Sequence, residues 1–354
     1  MSYCINPRCP QRQQPDALDH CAACGTPLLI NDRYRLLRPL RDLDDWSPAD
    51  IFEVDDGDRL QVMKVLKQPK LLPLFEREVK TLQQLHHPGI PQVEPDGYFT
   101  VTPATGPPLA CLVMEKIAGD TLEQWLAQYG PVNQPLALTW LRQATEILAL
   151  VHQTELFHRD IKLSNLMLRP DGQIALIDFG TVRQMTNTYL AKIGGQRDVT
   201  TIVSPGYTPL EQINGRAVPQ SDFYALGRSW VHLLTGQHPV DLDTDDDTGT
   251  LHWRRAAPQV EPWLADLIDD LMAPFPGQRP LNAEEILRRL EARTGKSRSR
   301  PAQTTSQRWV QLLVGLNLAL LLANGLLGWR WSQRHGSADR SQQPMPLLLT
   351  FKSR

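Results

Sequence analysis

A short block, His158-Arg159-Asp160-Ile161-Lys162-Leu163-Ser164-Asn165, constrains this chain more than any other stretch. It brings a carboxylate, an ammonium and an amide close together at the end of a long helix-periodic run. Thirteen residues after Asn165 comes Asp178-Phe179-Gly180, which puts a second carboxylate beside a glycine after the apolar run Ile174–Ile177. Phosphoryl transfer asks little covalent chemistry of a protein; it asks for groups that position the reactants and neutralise charge. One carboxylate to receive a hydroxyl proton, with an amide and a second carboxylate to hold Mg²⁺ on the phosphates, is such a set.

On these residues the chain resembles a eukaryotic-type serine/threonine protein kinase. The resemblance implies an α+β, bilobal protein-kinase fold, with a small β-rich lobe over residues 33–117 and a large α-helical lobe over 118–293. By that match Asp160 is the catalytic base, Asn165 and Asp178 are the ligands of Mg²⁺ (or Mn²⁺), and Lys162 steadies the transferring phosphate. A lysine two residues after the aspartate is the serine/threonine pattern rather than the tyrosine one. ATP is then the phosphoryl donor, and proteins are the substrates.

In the small lobe, Arg33–Leu40 and Ile51–Val54 read as strands, Asp56-Gly57-Asp58 as a hairpin turn, and Leu60–Leu66 as a third strand. The resemblance makes Lys64 the ligand of the α/β-phosphates. A helix over Phe75–Leu85, apolar at Phe75, Val79, Leu82 and Leu85, supplies Glu78 to hold that lysine, with Glu76 as the alternative. Leu112–Ile117 reads as the last strand and hinge, with Met114 behind the adenine and backbone groups of Glu115 and Ile117 at its edge.

The departure from the family pattern lies between the first two strands. A glycine-rich loop is expected there, because bare backbone must approach the phosphates. This chain has Arg41-Asp42-Leu43-Asp44-Asp45-Trp46-Ser47-Pro48-Ala49-Asp50, with no glycine. A carboxylate ~6 Å from a phosphate, at an effective dielectric near 20, costs roughly 3 kcal/mol. Asp42, Asp44 and Asp45 are therefore expected to turn away, or the loop to stand off, with a weaker grip on phosphate from above. The alternative to an active enzyme is a pseudokinase scaffold that signals by contacts.

In the large lobe, Thr121–Gln128 reads as a helix with Asp120-Thr121 at its cap, Asp120 either capping or reaching the ribose. Leu136–Thr154 is a buried helix leading to His158, and Ala283–Arg293 a closing amphipathic one. Thr186, Thr188, Thr200, Thr201 and Ser204 lie in a polar stretch that reads as an activation loop, where Thr200 or Thr201 is the expected phosphate acceptor and Arg159 a cationic partner. Ser204–Glu211 resembles a substrate-docking segment. Its Glu211 is expected to pair with Arg279, and Asp222 to brace the catalytic-loop backbone.

Four of the five cysteines fall in the first 24 residues, as Cys4-(four residues)-Cys9 and Cys21-(two residues)-Cys24, with Gly25 next. Some 30 residues cannot build a core alone, whereas one Zn²⁺ on four thiolates supplies the folding energy. Residues 1–30 thus read as a structural zinc-ribbon-like knuckle, with two disulfides as the rival. Such a head before a kinase is similar to a group of bacterial, especially cyanobacterial, kinases.

Residues 294–308 read as a linker rich in Ser, Thr, Arg and Pro. Trp309–Trp329 then runs 21 residues without a charge, ~31 Å as a helix and long enough to cross a bilayer, with tryptophans at both ends. A single-pass protein of the cell membrane is expected, its kinase domain on the cytoplasmic, ATP-containing side and its tail at 330–354. A small-residue stripe at Gly315, Ala319 and Ala323, or else Asn317 and Asn324 on another face, is expected to pair two copies through the span as a homodimer. Lys+Arg 37 against Asp+Glu 39 implies no nucleic-acid partner.

Overall fold

The computed structural model describes residues 1–45, 47–180, 183–184, 203–245 and 247–294. The chain begins with three two-residue strands, β1 (Ser2–Tyr3), β2 (Gln13–Gln14) and β3 (Leu29–Ile30), around the cysteines. Then come β4 (Tyr34–Pro39), β5 (Ala49–Asp55), β6 (Leu60–Leu66), helix α1 (Leu72–Gln84), β7 (Tyr98–Val101) and β8 (Leu109–Glu115). Strands β3 to β8 form one six-stranded antiparallel sheet in the order β3-β4-β5-β6-β8-β7.

Period-two alternation gives this sheet two apolar faces. On β6, Met63 and Val65 are buried on one face together with Phe52, Val54, Cys111 and Val113, whereas Lys64 belongs to the other. That other face carries α1, whose Phe75, Val79 and Leu82 join Leu66 and Leu112 in the main core. Helix α1 starts a turn before the predicted Phe75. Pro73 lies in its first turn, where a proline needs no amide partner. Strand β7 was not foreseen.

The cysteine head packs on the outer face of the sheet. Ile5 is wholly buried in the cluster of Phe52 and Met63, and Tyr3 packs against it. The Asn6 amide donates to the Thr105 carbonyl and hydroxyl at 3.1 and 3.0 Å, and the Ala104 amide donates to Thr26 Oγ1 at 3.1 Å. Arg12 pairs with Asp50 at 2.7 Å and lies over the Phe52 ring. The head is therefore a cover for the small half of the molecule, not a separate bead.

The large half is helical. After β9 (Asp120–Thr121) come α2 (Leu122–Tyr129) and α3 (Gln134–Gln153), followed by β10 (Leu156–Phe157), β11 (Leu166–Leu168), β12 (Ile174–Leu176) and β13 (Arg183–Gln184). Helices Leu210–Ile213, Pro219–Thr235, Pro262–Leu271 and Ala283–Thr294 complete it. The α2 cap is Thr121 in a capping box with Gln124, while Asp120 is exposed on β9. Helix α3 buries Trp140, Leu141, Ile147, Leu148 and Val151, and Trp230 donates to the Ala137 carbonyl at 2.9 Å. Among the described residues no helix is long and apolar enough to cross a membrane. The predicted span at 309–329 and the activation-loop threonines lie outside those residues.

Candidate active site

The residues that carry the chemistry come from four separate stretches. Lys64 projects from the middle of β6, opposite Leu112 of β8. Its ammonium donates to both oxygens of Glu78 on α1, at 2.8 and 2.9 Å, and to Asp178 Oδ1 at 3.1 Å. Glu76, the alternative partner, instead accepts from the Tyr98 hydroxyl at 3.4 Å. A Cβ on Gly180 would lie 2.9 Å from Lys64 Nζ and 3.1 Å from Glu78 Oε2, so any side chain there would press on the pair.

The loop from β10 to β11 delivers the second group. Asp160 Oδ2 accepts from Asn165 Nδ2 and from Lys162, both at 2.9 Å, and Asn165 Nδ2 also donates to the Asp160 carbonyl at 2.8 Å. The Ile177 amide donates to the Asn165 carbonyl at 2.9 Å, which sets Asp178 next to that loop. That bond places the residue before Asp178 against the loop that carries Asp160 and Asn165. Asn165 Oδ1 is buried and has no hydrogen-bond partner. An acceptor left bare on a side chain bonded to the Asp160 carboxylate fits a divalent cation, since a buried polar atom without a partner costs about 1–3 kcal/mol.

The backbone here is held in unusual conformations. Arg159 (φ +74°) and Asp178 (φ +66°) both occupy the left-handed region, a strain that the surroundings must impose. Asp222 supplies part of that constraint, as expected. Its carboxylate accepts from the amides of His158 and Arg159 at 2.7 Å each, with His152 Nε2 at 2.9 Å. Phe179 is buried, edge-on to the His158 ring at 5.0 Å. Glu211 and Arg279 pair at 2.6 Å, as the sequence predicts.

Charge follows from this geometry. Burial pulls the Lys64 ammonium down, but Asp178 and Glu78 overcome it and hold the cation protonated. Lys64 in turn holds the Asp178 carboxyl well below the usual carboxylate range, against burial and with help from Arg41. Burial keeps His158 neutral. At the hinge, Met114 packs against the main core and Ile117 is buried. The Glu115 carboxylate is turned to Arg169 at 2.7 Å, and the Glu115 amide donates to the Gln92 carbonyl at 2.8 Å.

Two contacts of the site were not foreseen by sequence reasoning, although Ser204 itself was named in the activation-loop and docking stretches. Ser204 Oγ donates to Asp160 Oδ1 at 2.7 Å and accepts from Lys162 at 3.0 Å, a hydroxyl set directly on the carboxylate. Arg41, from the glycine-free loop, points both terminal nitrogens at Asp178 Oδ2 at 3.5 Å. Neither contact has a local signal, since 44 and 137 residues separate the partners.

At the other end of the small half, the four cysteine sulphurs lie within 4.8 Å of one another. Cys4 and Cys24 are 3.6 Å apart and Cys9 and Cys21 3.5 Å, and all are free thiols. A disulfide needs about 2.05 Å, while the edge of a tetrahedron with metal–sulphur bonds of about 2.3 Å is ~3.8 Å. The spacing fits a four-thiolate metal site. Burial pushes the Cys9 thiol up to about 11; at Cys24, burial is outweighed by hydrogen bonds from Thr26, which bring it to about 6. The adjacent Gly25 (φ +73°) makes the turn that the knuckle requires.

Residues 52–310 match the family described as the protein kinase domain. The chain is 35% identical to serine/threonine-protein kinase F of Synechocystis sp., over 80% of this chain and 60% of that protein. It is 36% identical to serine/threonine-protein kinase C of the same organism, over 75% and 51%, and 39% identical to serine/threonine-protein kinase PknA of Nostoc sp., over 74% and 48%. The chain thus spans about half the length of the curated relatives it matches.

Proposed function

Because the chain belongs to the protein kinase family, we propose that it is a serine/threonine kinase that moves the γ-phosphate of ATP to Ser or Thr hydroxyls of protein substrates. The observation that carries the reading is Asp160 with a serine hydroxyl at 2.7 Å and Lys162 beside both. Asp160 takes the proton of the attacking hydroxyl, and Lys162 offsets charge on the phosphoryl group in flight. Lys64, fixed by Glu78, holds the α/β-phosphates, and Met114, Glu115 and Ile117 form the adenine edge. Asn165 and Asp178 would hold Mg²⁺, which when bound neutralises charge on the phosphate oxygens. Incubation of the chain with Mg²⁺ and labelled ATP should put label on Ser or Thr. Asp160→Ala should lose at least ~10³-fold of that rate with nucleotide binding kept. Nucleotide binding without any labelling would favour the scaffold.

The thiolate cluster is read as a structural zinc site on Cys4, Cys9, Cys21 and Cys24. The 309–329 stretch is read as a membrane span that anchors the kinase at the cytoplasmic face and pairs two copies, the support being its length, its lack of charge and its small-residue stripe. Alkaline extraction that freed the full chain from membranes would end the anchor, and crosslinking that gave monomers with or without the span would end the pairing.

A further inference from the structure

The loop between β4 and β5 has no glycine, yet it is not withdrawn from the cleft. Asp44, one of its three acids, is turned aside: its carboxylate accepts from the Ser47 hydroxyl at 2.7 Å and from the Ser47 amide, and its carbonyl accepts from Lys67. Lys67 is held in turn by Asp50 at 2.8 Å, and Asp50 by Arg12 of the cysteine head at 2.7 Å. Asp42 and Asp45 are exposed. A pinned loop thus sends a cation inward, with both terminal nitrogens of Arg41 at 3.5 Å from Asp178 Oδ2.

We propose that Arg41 binds the β/γ-phosphates of the nucleotide, taking over with one guanidinium the task that a row of backbone amides performs in a glycine-rich loop. The proposal rests on the phosphoryl-transfer reading of the cleft. A guanidinium beside a metal-binding carboxylate is also beside the anion that the metal holds, and its planar fork of donors matches phosphate oxygens. The loop needs no glycine on this account, because the reach is made by a long side chain rather than by close approach of the backbone. Recognition should then depend on the charge of the phosphates and not on the nucleoside.

The test is calorimetric titration of the full chain and of Arg41→Ala and Arg41→Lys with MgATP and, separately, with adenosine. Loss of one charge-assisted contact, worth about 1.5–3 kcal/mol, corresponds to ~10–100-fold weaker MgATP binding. That loss is expected in the alanine variant, with part of it recovered by lysine and adenosine affinity unchanged. Unchanged MgATP affinity, or an equal loss for both ligands, would overturn the proposal. Tighter MgATP binding in the alanine variant would overturn it too, because Arg41 would then be a competitor of the metal for Asp178. A wild-type chain that binds MgATP with this pattern but transfers no phosphate sinks the kinase reading and leaves Arg41 standing; one that binds no MgATP sinks both.

Discussion

His232, beneath the Ser204–Glu211 segment, shares a hydrogen bond through Nδ1 with the Tyr207 hydroxyl, 2.6 Å away. Burial lowers the imidazole first, and His238, edge-on at 5.2 Å, lowers it further, to about 4 against the opposing pull of Asp241. The sign follows: between pH ~6.5 and about 4 the unfolded chain binds a proton that the folded chain refuses. Stability is then full above ~6.5 and falls as pH drops toward 4, and buried His158 adds to the trend in the same direction. Melting temperature measured from pH 7.5 to 4 should fall, with a shallower slope in His232→Gln; an equal slope would remove His232 as a cause. At this scale the sequence was informative where partners are near in the chain, as with Asp160, Lys162 and Asn165. It was silent on the contacts of Ser204 and Arg41, whose partners are brought to them only by the fold.

Between β8 and α2, Gly119 holds φ +111°, and a Cβ there would come within 1.9 Å of the Leu168 carbonyl oxygen on β11. Because the obstacle is backbone in the β9–β11 ladder, no side chain can move aside. Gly130, at the C-terminal cap of α2, also has positive φ (+77°), but nothing lies within 4 Å of its added Cβ. Gly130→Ala should therefore show backbone strain alone, about 1–3 kcal/mol, and Gly119→Ala that strain plus the clash, a clearly larger loss. Urea unfolding of the two variants checks this, and an equal cost would refute the role of contact. Elements with strong periodicity, β6 and α3 among them, were read close to their bounds. The cap of α2 was read one residue loosely, since Asp120 and Thr121 are both good caps and only the side-chain geometry chooses. Strand β7, Tyr-Phe-Thr-Val, has suitable residues but only four of them, too few for a period to stand out.

Across the whole molecule the least legible relation was between the cysteine head and the lobe that follows it. Cysteine spacing points to a local metal knuckle, but nothing in the spacing says that Ile5 fills the same core as Phe52, Val54 and Met63. The outer face of those strands would be open to water without the head. Arg12 then links that cover through Asp50 and Lys67 to the loop that carries Arg41. If one zinc ion organises the head, losing it should cost more than the head itself. Cys21→Ser with Cys24→Ser is expected to remove about one equivalent of zinc and to uncover Ile5 and its partners. Uncovering one such buried side chain costs roughly 3 kcal/mol, about 6 °C in melting temperature. Amide exchange should rise in β5 and β6 while α3, in the other core, keeps its protection. Unchanged metal content would reject the zinc site, whereas loss of metal with β5 and β6 still protected would show that the head covers the sheet without metal. Because the linked loop stands over Asp178, the same substitution should weaken MgATP binding in the direction of Arg41→Ala, though by less.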